Sequence, residues 1–174
     1  MVLRIPLSRS LFALIDEEDH GLVAQFSWQA RESGRATSRR VYAVAQPRIG
    51  GRRIAIQMHR LILGTPAGFE TDHRNHDTLD NRRDNLRPST HSQNQANREL
   101  NFNNRSGFRG VSWDQAGRCW AATIRVNGRK IWLGRFHSAA EASAVYEAAA
   151  LTYFGEFAEC AAWRAASQSA REAA

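Results

Sequence analysis

Hydrophobic and polar positions change rhythm several times along the chain. The first thirty residues alternate weakly. LFALI predicts a strand, and DEEDHGLVAQFSW predicts a short helix with acids in its first turn. RESGRATSRR is a polar, basic loop. VYAVAQPRI and RRIAIQM alternate as strands, joined through Pro47, Gly50 and Gly51. HRLILG, residues 59–64, predicts one or two helical turns stopped by Gly64 and Pro66. From 65 to 90 apolar residues thin out among Asn, Asp and Arg, bracketed by two short strand-like pieces, FETDH and NLRPS. SQNQANREL, 92–100, favours helix in its second half, and NFNNRSG reads as a linker.

The second half has a plainer pattern. SGFRGVSW, CWAATIRV and RKIWLGRF predict three strands. Asn127-Gly128 joins the last two, the favoured hairpin turn because both central positions need φ > 0. Ser138 precedes Glu141 as a capping box, and an Ala-rich helix then runs to Gly155. Its small side chains suit close approach to a sheet. Strand periodicity puts Trp120, Ala122, Ile124 and Val126 on one face, with Ile131 and Leu133 toward the helix. Ala121, Thr123, Arg125, Lys130, Trp132 and Gly134 take the other face. That face is either a solvated surface with one Trp packed on an Arg stem or a groove- and phosphate-binding surface. The outward Trp132 beside two cations favours the second.

A chain of 174 residues, 43% of them apolar, can bury a core and is not disordered throughout. The net charge of +7 and a pI near 10.6 point to polyanionic partners, nucleic acid or an acidic membrane surface. Two blocks hold the excess: 31–60 has eight Arg against Glu32, and 105–137 has seven bases against Asp114. Every base except Lys130 is Arg, suited to bidentate phosphate contacts. Codon bias in a GC-rich genome accounts for Arg over Lys, but not for the clustering. Neither block reads as an amphipathic membrane helix. No apolar run approaches the roughly 18 residues of a membrane helix, and the start lacks a signal-peptide pattern. Only Cys119 and Cys160 occur, which excludes a disulfide framework and a Cys-based zinc finger. These features predict a cytoplasmic, nucleoid-associated protein with reduced thiols.

Residues 59–97 concentrate His59, Asp72, His73, Asn75, His76, Asp77, Asn81, Asp84, Asn85, His91, Asn94 and Asn97. Singly, each would be a turn residue or a cap. Together the spacing says more: Asp72-His73 closes a short strand, Asn85 follows after a gap, and Asn94 lies in a following helix. Carboxylate and amide oxygens are hard donors, suited to Mg²⁺ or Mn²⁺ rather than zinc. Neighbouring strand residues point to opposite faces, so Asp72 and His73 divide the labour, one a ligand and the other a base.

The stretch MHRLILG…ETDHRNHDTLDNRRDNLRPSTHSQNQANR resembles the HNH endonucleases of the ββα-metal (His-Me finger) class, particularly the phage and intron-encoded homing type. The HRL lead-in, the Asp-His pair, the N-R-x-x-N-L-R segment and the downstream Asn carry the likeness over about forty residues. The resemblance implies that Asp72 and Asn94 ligate a divalent metal, most simply Mg²⁺ with Mn²⁺ as substitute. It also implies that His73 is the general base and that Asn85 orients its ring. His59 would be structural or phosphate-contacting. Asn94 stands where the family's third letter is often His. Arg74, Arg82, Arg83 and Arg87 would hold the flanking phosphates. Because the imidazole must be neutral, activity is expected to fall below roughly pH 6 to 6.5.

GFRGVSWDQAGRCWAATIRVNGRKIWLGRFHSAAEASAVYEAAALTYFGEFA resembles the APETALA/ethylene-response-factor DNA-binding domain, a three-stranded antiparallel sheet backed by a helix. The likeness implies DNA contacts by Arg109, Arg118, Arg125, Lys130 and Trp132. Ser112 stands where that family usually has Arg, and Thr123 replaces its Glu, so its target sequence is not carried over. The expected fold is therefore α+β: an HNH domain at 1–100 (core 55–100, β-rich extension 1–54), a linker at 101–106, the sheet-and-helix domain at 107–158 and a tail at 159–174. The expected function is that of a monomeric, metal-dependent endonuclease cutting double-stranded DNA, with no membrane and no small-molecule cofactor. The competing expectation is a DNA-binding regulator with an inactive HNH domain.

Overall fold

In the computed structural model, residues 1–34, 39–98, 100 and 103–158 are described. Residues 35–38 of the basic loop, Glu99, Asn101, Phe102 and the tail at 159–174 lie outside the described residues.

Weak alternation at the start yields a hairpin. β1 (Val2–Pro6) pairs antiparallel with β2 (Phe12–Asp16), and the alternate residues Ala13 and Ile15 are wholly buried. The acids that follow form a 3-10 turn over Glu17–Asp19 leading into the single-turn helix α1 (His20–Val23). β3 (Gln29–Ser33) and β4 (Arg40–Ala45) come next. Each Pro/Gly break cuts the expected long strands into shorter pieces: β5 (Arg48–Ile49), β6 (Arg52–Arg53) and β7 (Ile56–Gln57). The sheet order is β3-β4-β7, and β5-β6 is a separate ribbon extending from the β4–β7 pair. α2 (Met58–Leu63) ends at Gly64, whose φ of 62° and N–H bond to the Arg60 carbonyl close the helix. β8 (Glu70–His73) and β9 (Leu86–Ser89) form a two-stranded antiparallel sheet, as the two strand-like pieces predict.

The core of this first unit draws Ile15, Val23, Trp28, Ala30, Ala43, Met58, Ile62 and Leu86 from both ends of the unit. Burial of side chains such as Ile15 and Met58 contributes about 1.5–3 kcal/mol each. The loop between β8 and β9 is stitched to β2: Leu14 N–H donates to the Leu79 carbonyl and Asn81 N–H to the Leu14 carbonyl, each at 2.8 Å. Thr78 also donates its hydroxyl to the Val41 carbonyl.

The chain divides into two units after Thr90, ahead of the 101–106 linker expected from composition. α3 (His91–Ala96) falls in the second unit, where the Ser92 hydroxyl accepts from Asn127 N–H at 3.0 Å. That unit holds β10 (Val111–Asp114), β11 (Cys119–Val126), β12 (Arg129–Phe136) and α4 (Ala139–Phe154), with the three strands in sequential antiparallel order. Asn127 and Gly128 take φ values of 48° and 80°, as the hairpin turn demands. Ser138 caps α4 by accepting from Glu141 N–H at 3.2 Å.

One face assignment needs correction. The register shifts between Ala122 and Thr123, so that Thr123 pairs with Trp132 and Ala122 with Gly134. Leu133 is the extra residue, and the alternation reverses beyond it. Gly134 therefore turns to the helix side. Arg135 joins the outer face instead, its guanidinium 5.7 Å from the Trp132 ring and bonded through Nε to Asp114 at 3.0 Å.

α4 lies close to the sheet through Ala142, Ser143, Tyr146, Ala150 and Phe154, all buried. Gly110 makes that approach possible. Its φ is +67°, and a Cβ there would lie 2.2 Å from two Tyr146 ring carbons and 2.6 Å from the Thr123 carbonyl oxygen. Gly110→Ala is expected to destabilise the second unit by about 2–4 kcal/mol, from overpacking and a left-handed backbone together. Urea unfolding followed by tryptophan fluorescence measures it; a loss under half a kcal/mol (roughly the surface norm) would contradict the packing described.

The architecture is thus α+β, several small antiparallel sheets with few helices. Among the described residues no helix is long and apolar enough to cross a membrane.

Candidate active site

Asp72 and His73 are consecutive on β8, opposite Arg87 and Leu86 of β9. Both are buried, at 4% exposure each, because α2 and the β2–β4 region close over the hairpin. Asp72 accepts at Oδ2 from Arg87 Nε at 2.8 Å, and Arg87 is itself only 5% exposed. A buried ion pair repays its desolvation only while both partners remain. Arg87→Ala is accordingly expected to cost about 3–5 kcal/mol by stranding a buried carboxylate. Equilibrium unfolding at neutral pH checks this; a variant as stable as wild type would mean that Asp72 is compensated elsewhere.

The His73 imidazole has three neighbours that fix it. Its Nε2 lies 3.4 Å from Asn81 Oδ1. The Asn81 amide is oriented by its own Nδ2, which donates to the Leu79 carbonyl at 3.1 Å and leaves Oδ1 toward the ring. An amide oxygen only accepts, so in this contact the ring donates from Nε2. The His59 ring stands edge-on at 5.1 Å and Tyr42 tilts at 6.4 Å. Burial lowers the His73 pKa below its ordinary 6.5, against the opposing pull of the Asn81 bond and of Asp72, Asp77 and Asp80. His59 is lowered further, to about 3, by burial first and then by the His73 and Arg60 charges. Its Nδ1 has no hydrogen-bond partner.

Asn85, expected to orient His73, does something adjacent. Its Oδ1 accepts from Asn75 N–H at 3.0 Å and its Nδ2 donates to the Asp80 carbonyl at 2.7 Å. It pins the two ends of the loop from which Asn81 reaches the imidazole. Asn75 Nδ2 adds a bond to Asp80 Oδ2 at 2.8 Å. The residue that meets the ring is Asn81, wholly buried, and only the density of Asn in this stretch pointed toward it.

Three arginines expected to face phosphates are held by carboxylates instead. Arg82 makes a two-pronged contact with Asp80, both distances 2.7 Å. Arg83 bonds Asp19 through Nε and Nη2 at 3.0 and 2.6 Å, and its N–H reaches Asp16. Asp16, Glu18 and Asp19 form a group of ligand type, and the Arg83 guanidinium is their counter-charge. Arg87 is the partner of Asp72. Arg74, next to His73, remains exposed.

In the second unit, Arg118, Arg125, Lys130 and Trp132 are exposed, Trp132 at 53%. Arg125 also donates to the Gly128 carbonyl at 3.2 Å. Arg109 is half-buried and borders a cavity of about 290 Å³ beside Tyr146 and Glu147, away from the outer sheet face where its expected DNA contact would lie. Asn94 lies on α3.

In the first unit, Asp72 offers a carboxylate, a hard oxygen donor of the kind a divalent ion takes.

The geometry defines a class first: a neutral imidazole held beside a buried carboxylate on a short antiparallel hairpin, with a braced polar loop. The comparison with known families then narrows it. Residues 53–96 match the HNH endonuclease family, a stretch running from β6 through α2, β8 and β9 to α3. This supports an HNH domain with nuclease function, a class that acts on DNA and generally uses a divalent metal. No curated protein and no solved structure matches the chain.

Proposed function

We propose that the chain is a metal-dependent DNA endonuclease of the homing or phage type, and that its C-terminal sheet supplies target affinity. The observation that carries this reading is the state of His73. It is buried, neutral at neutral pH, and held by Asn81 at Nε2. A neutral imidazole so placed can take the proton of a water attacking a phosphodiester. The phosphorus–oxygen bond to the leaving group then breaks, and the proton stays on His73 until exchanged. Asp72 would hold the metal, which when bound neutralises charge on the scissile phosphate; the HNH likeness alone implies Asn94 as a further ligand. Asp72 also makes His73 easier to protonate during the step, while burial returns it to the neutral form. Asn85 acts at one remove by setting the loop that carries Asn81.

The sheet module rests on the APETALA/ethylene-response-factor likeness and on the outer-face chemistry. Arg125, Lys130, Trp132 and Arg135 combine cations with an exposed ring, the combination used against phosphate and groove edges. One observation favours the regulator reading: Arg87 donates to the carboxylate proposed to bind metal. Incubating supercoiled plasmid with the protein and Mg²⁺ decides between them. Nicking that disappears in EDTA and in Asp72→Ala is expected; DNA binding without nicking, across Mg²⁺ and Mn²⁺, would leave the regulator.

A further inference from the structure

The site described above takes Tyr42, His59 and Arg60 from the basic block at 31–60 but leaves the arginines of the β5–β6 ribbon aside. Three of the block's eight arginines, Arg48, Arg52 and Arg53, stand on that ribbon, and every residue from Arg48 to Ala55 is exposed. Gly50 and Gly51, with φ values of 57° and 79°, make the two-residue turn, and Ile54 N–H bonds the Pro47 carbonyl at 3.1 Å to continue the ladder. The register pairs Arg48 with Arg53 and Ile49 with Arg52. Two guanidiniums thus stand directly opposite on one face of a ribbon, an arrangement that destabilises by like-charge repulsion. Elsewhere in this unit arginines meet carboxylates: Arg9 and Arg39 at Glu32, Arg82 at Asp80, Arg83 at Asp19, Arg87 at Asp72. Arg48, Arg52 and Arg53 have no ion pair or hydrogen bond from their side chains among the described residues. A counter-charge from outside the chain would relieve them.

The ribbon's root leads to His73. Its two strands run into β4 and β7, where Ala45 pairs with Ile56 and Val44 with Gln57. On the same sheet face as Val44 and Gln57 lie Tyr42 and, opposite it, Arg31. These residues, with Arg60 and Thr65, line an open groove of about 770 Å³. Its carboxylate, Glu32, is already answered by two arginines, so the groove presents net positive charge. Tyr42 touches both His59 and His73. The groove therefore lies between the root of the ribbon and Tyr42, the ring that packs beside the imidazole.

We propose that the 46–55 ribbon and the groove at its root bind the phosphodiester backbone of duplex DNA beside the point of cleavage. Arg48 and Arg53 would share one phosphate across the ribbon, with Arg52 and the exposed Ile49 and Ile54 against the neighbouring sugar-phosphate edge. This rests on the nuclease reading for its purpose, but the test does not need cleavage. Binding of a fluorescent mixed-sequence duplex is measured by anisotropy in EDTA against salt. The full chain is compared with Arg48→Gln/Arg52→Gln/Arg53→Gln and with the Arg→Lys triple at the same positions. The glutamine triple is expected to bind more weakly, with a slope of log K on log salt shallower by about 2, about 0.9 for each of the two phosphates no longer neutralised. The lysine triple should keep most of the slope, since charge rather than shape sets it. Should the glutamine triple unfold, a chain with Gln46–Ala55 replaced by Asn-Gly, joining the paired Ala45 and Ile56, is read the same way. Wild-type slope and affinity in a folded glutamine triple, or in the trimmed chain, overturn the proposal. A wild-type protein that never nicks plasmid sinks the nuclease reading while this binding test still returns its own answer.

Discussion

If His73 is the general base proposed here, His73→Ala is expected to lower plasmid nicking by about 10²–10⁴-fold, the usual loss when such a group is removed. Duplex binding in EDTA is expected to stay within a few-fold of wild type, because a buried, neutral imidazole offers phosphates no charge. The pair of readouts matters: equal turnover by the variant would remove His73 from the mechanism, whereas lost binding and lost turnover together would indicate misfolding. The pH profile adds an independent check. Protonated imidazole cannot accept the water's proton, so activity falls on the acid side of the His73 pKa. Burial lowers that pKa below 6.5, so the acid limb lies below this value. An ordinary imidazole would put the fall near pH 6 to 6.5; the buried setting moves it down. A limb above pH 6.5 would contradict the environment described.

The second large effect is on stability. His59 has a folded-state pKa of about 3 against an ordinary 6.5, and it is 5% exposed. A histidine with a depressed folded pKa binds its proton more readily when unfolded, so its contribution is complete above pH 6.5 and is lost as pH falls toward 3. The two values imply that about 3 kcal/mol is gone by pH 4, with His73 acting in the same direction. Urea unfolding of the first unit at pH 7 and pH 4 measures it. His59→Gln, neutral at both pH values, should flatten the dependence by that amount. An equally steep dependence in the variant would place the acid sensitivity elsewhere, among carboxylates such as Asp80.

Much of this was legible in the chain because it depends on local chemistry. Asn127-Gly128 can hardly be anything but a tight turn, and Ser138 before an Ala-rich run caps a helix wherever it lies. The Asp72-His73 pair on a strand end was legible for the same reason. What could not be read depends on register and on partners distant in sequence. One extra residue at Leu133 reverses every later side chain, exchanging Gly134 for Arg135 on the outer face, and nothing in RKIWLGRF announces it. The choice of Asn81 over Asn85 beside the imidazole follows from the path of a loop tied to β2 and β4. Arg82, Arg83 and Arg87 looked like phosphate ligands because charge patterning counts cations without showing which carboxylates are near. Asp19 lies 64 residues from Arg83 in the chain. The cations of the β5–β6 ribbon were countable from the start, but only the pairings made elsewhere set them apart.

The stitching of the β8–β9 loop to Leu14 bears on how portable the candidate site is. The stretch that carries the family signature, 53–96, contains the reactive side chains but not the walls that desolvate them: Ile15, Val23, Trp28 and Ala43 come from earlier in the chain. Excised alone, it would expose Met58, Ile62 and Leu86 to water and release the loop holding Asn81. Anyone grafting this hairpin and its loop onto another protein would have to transplant the sequence back to β1, since the site and its walls are folded from one piece.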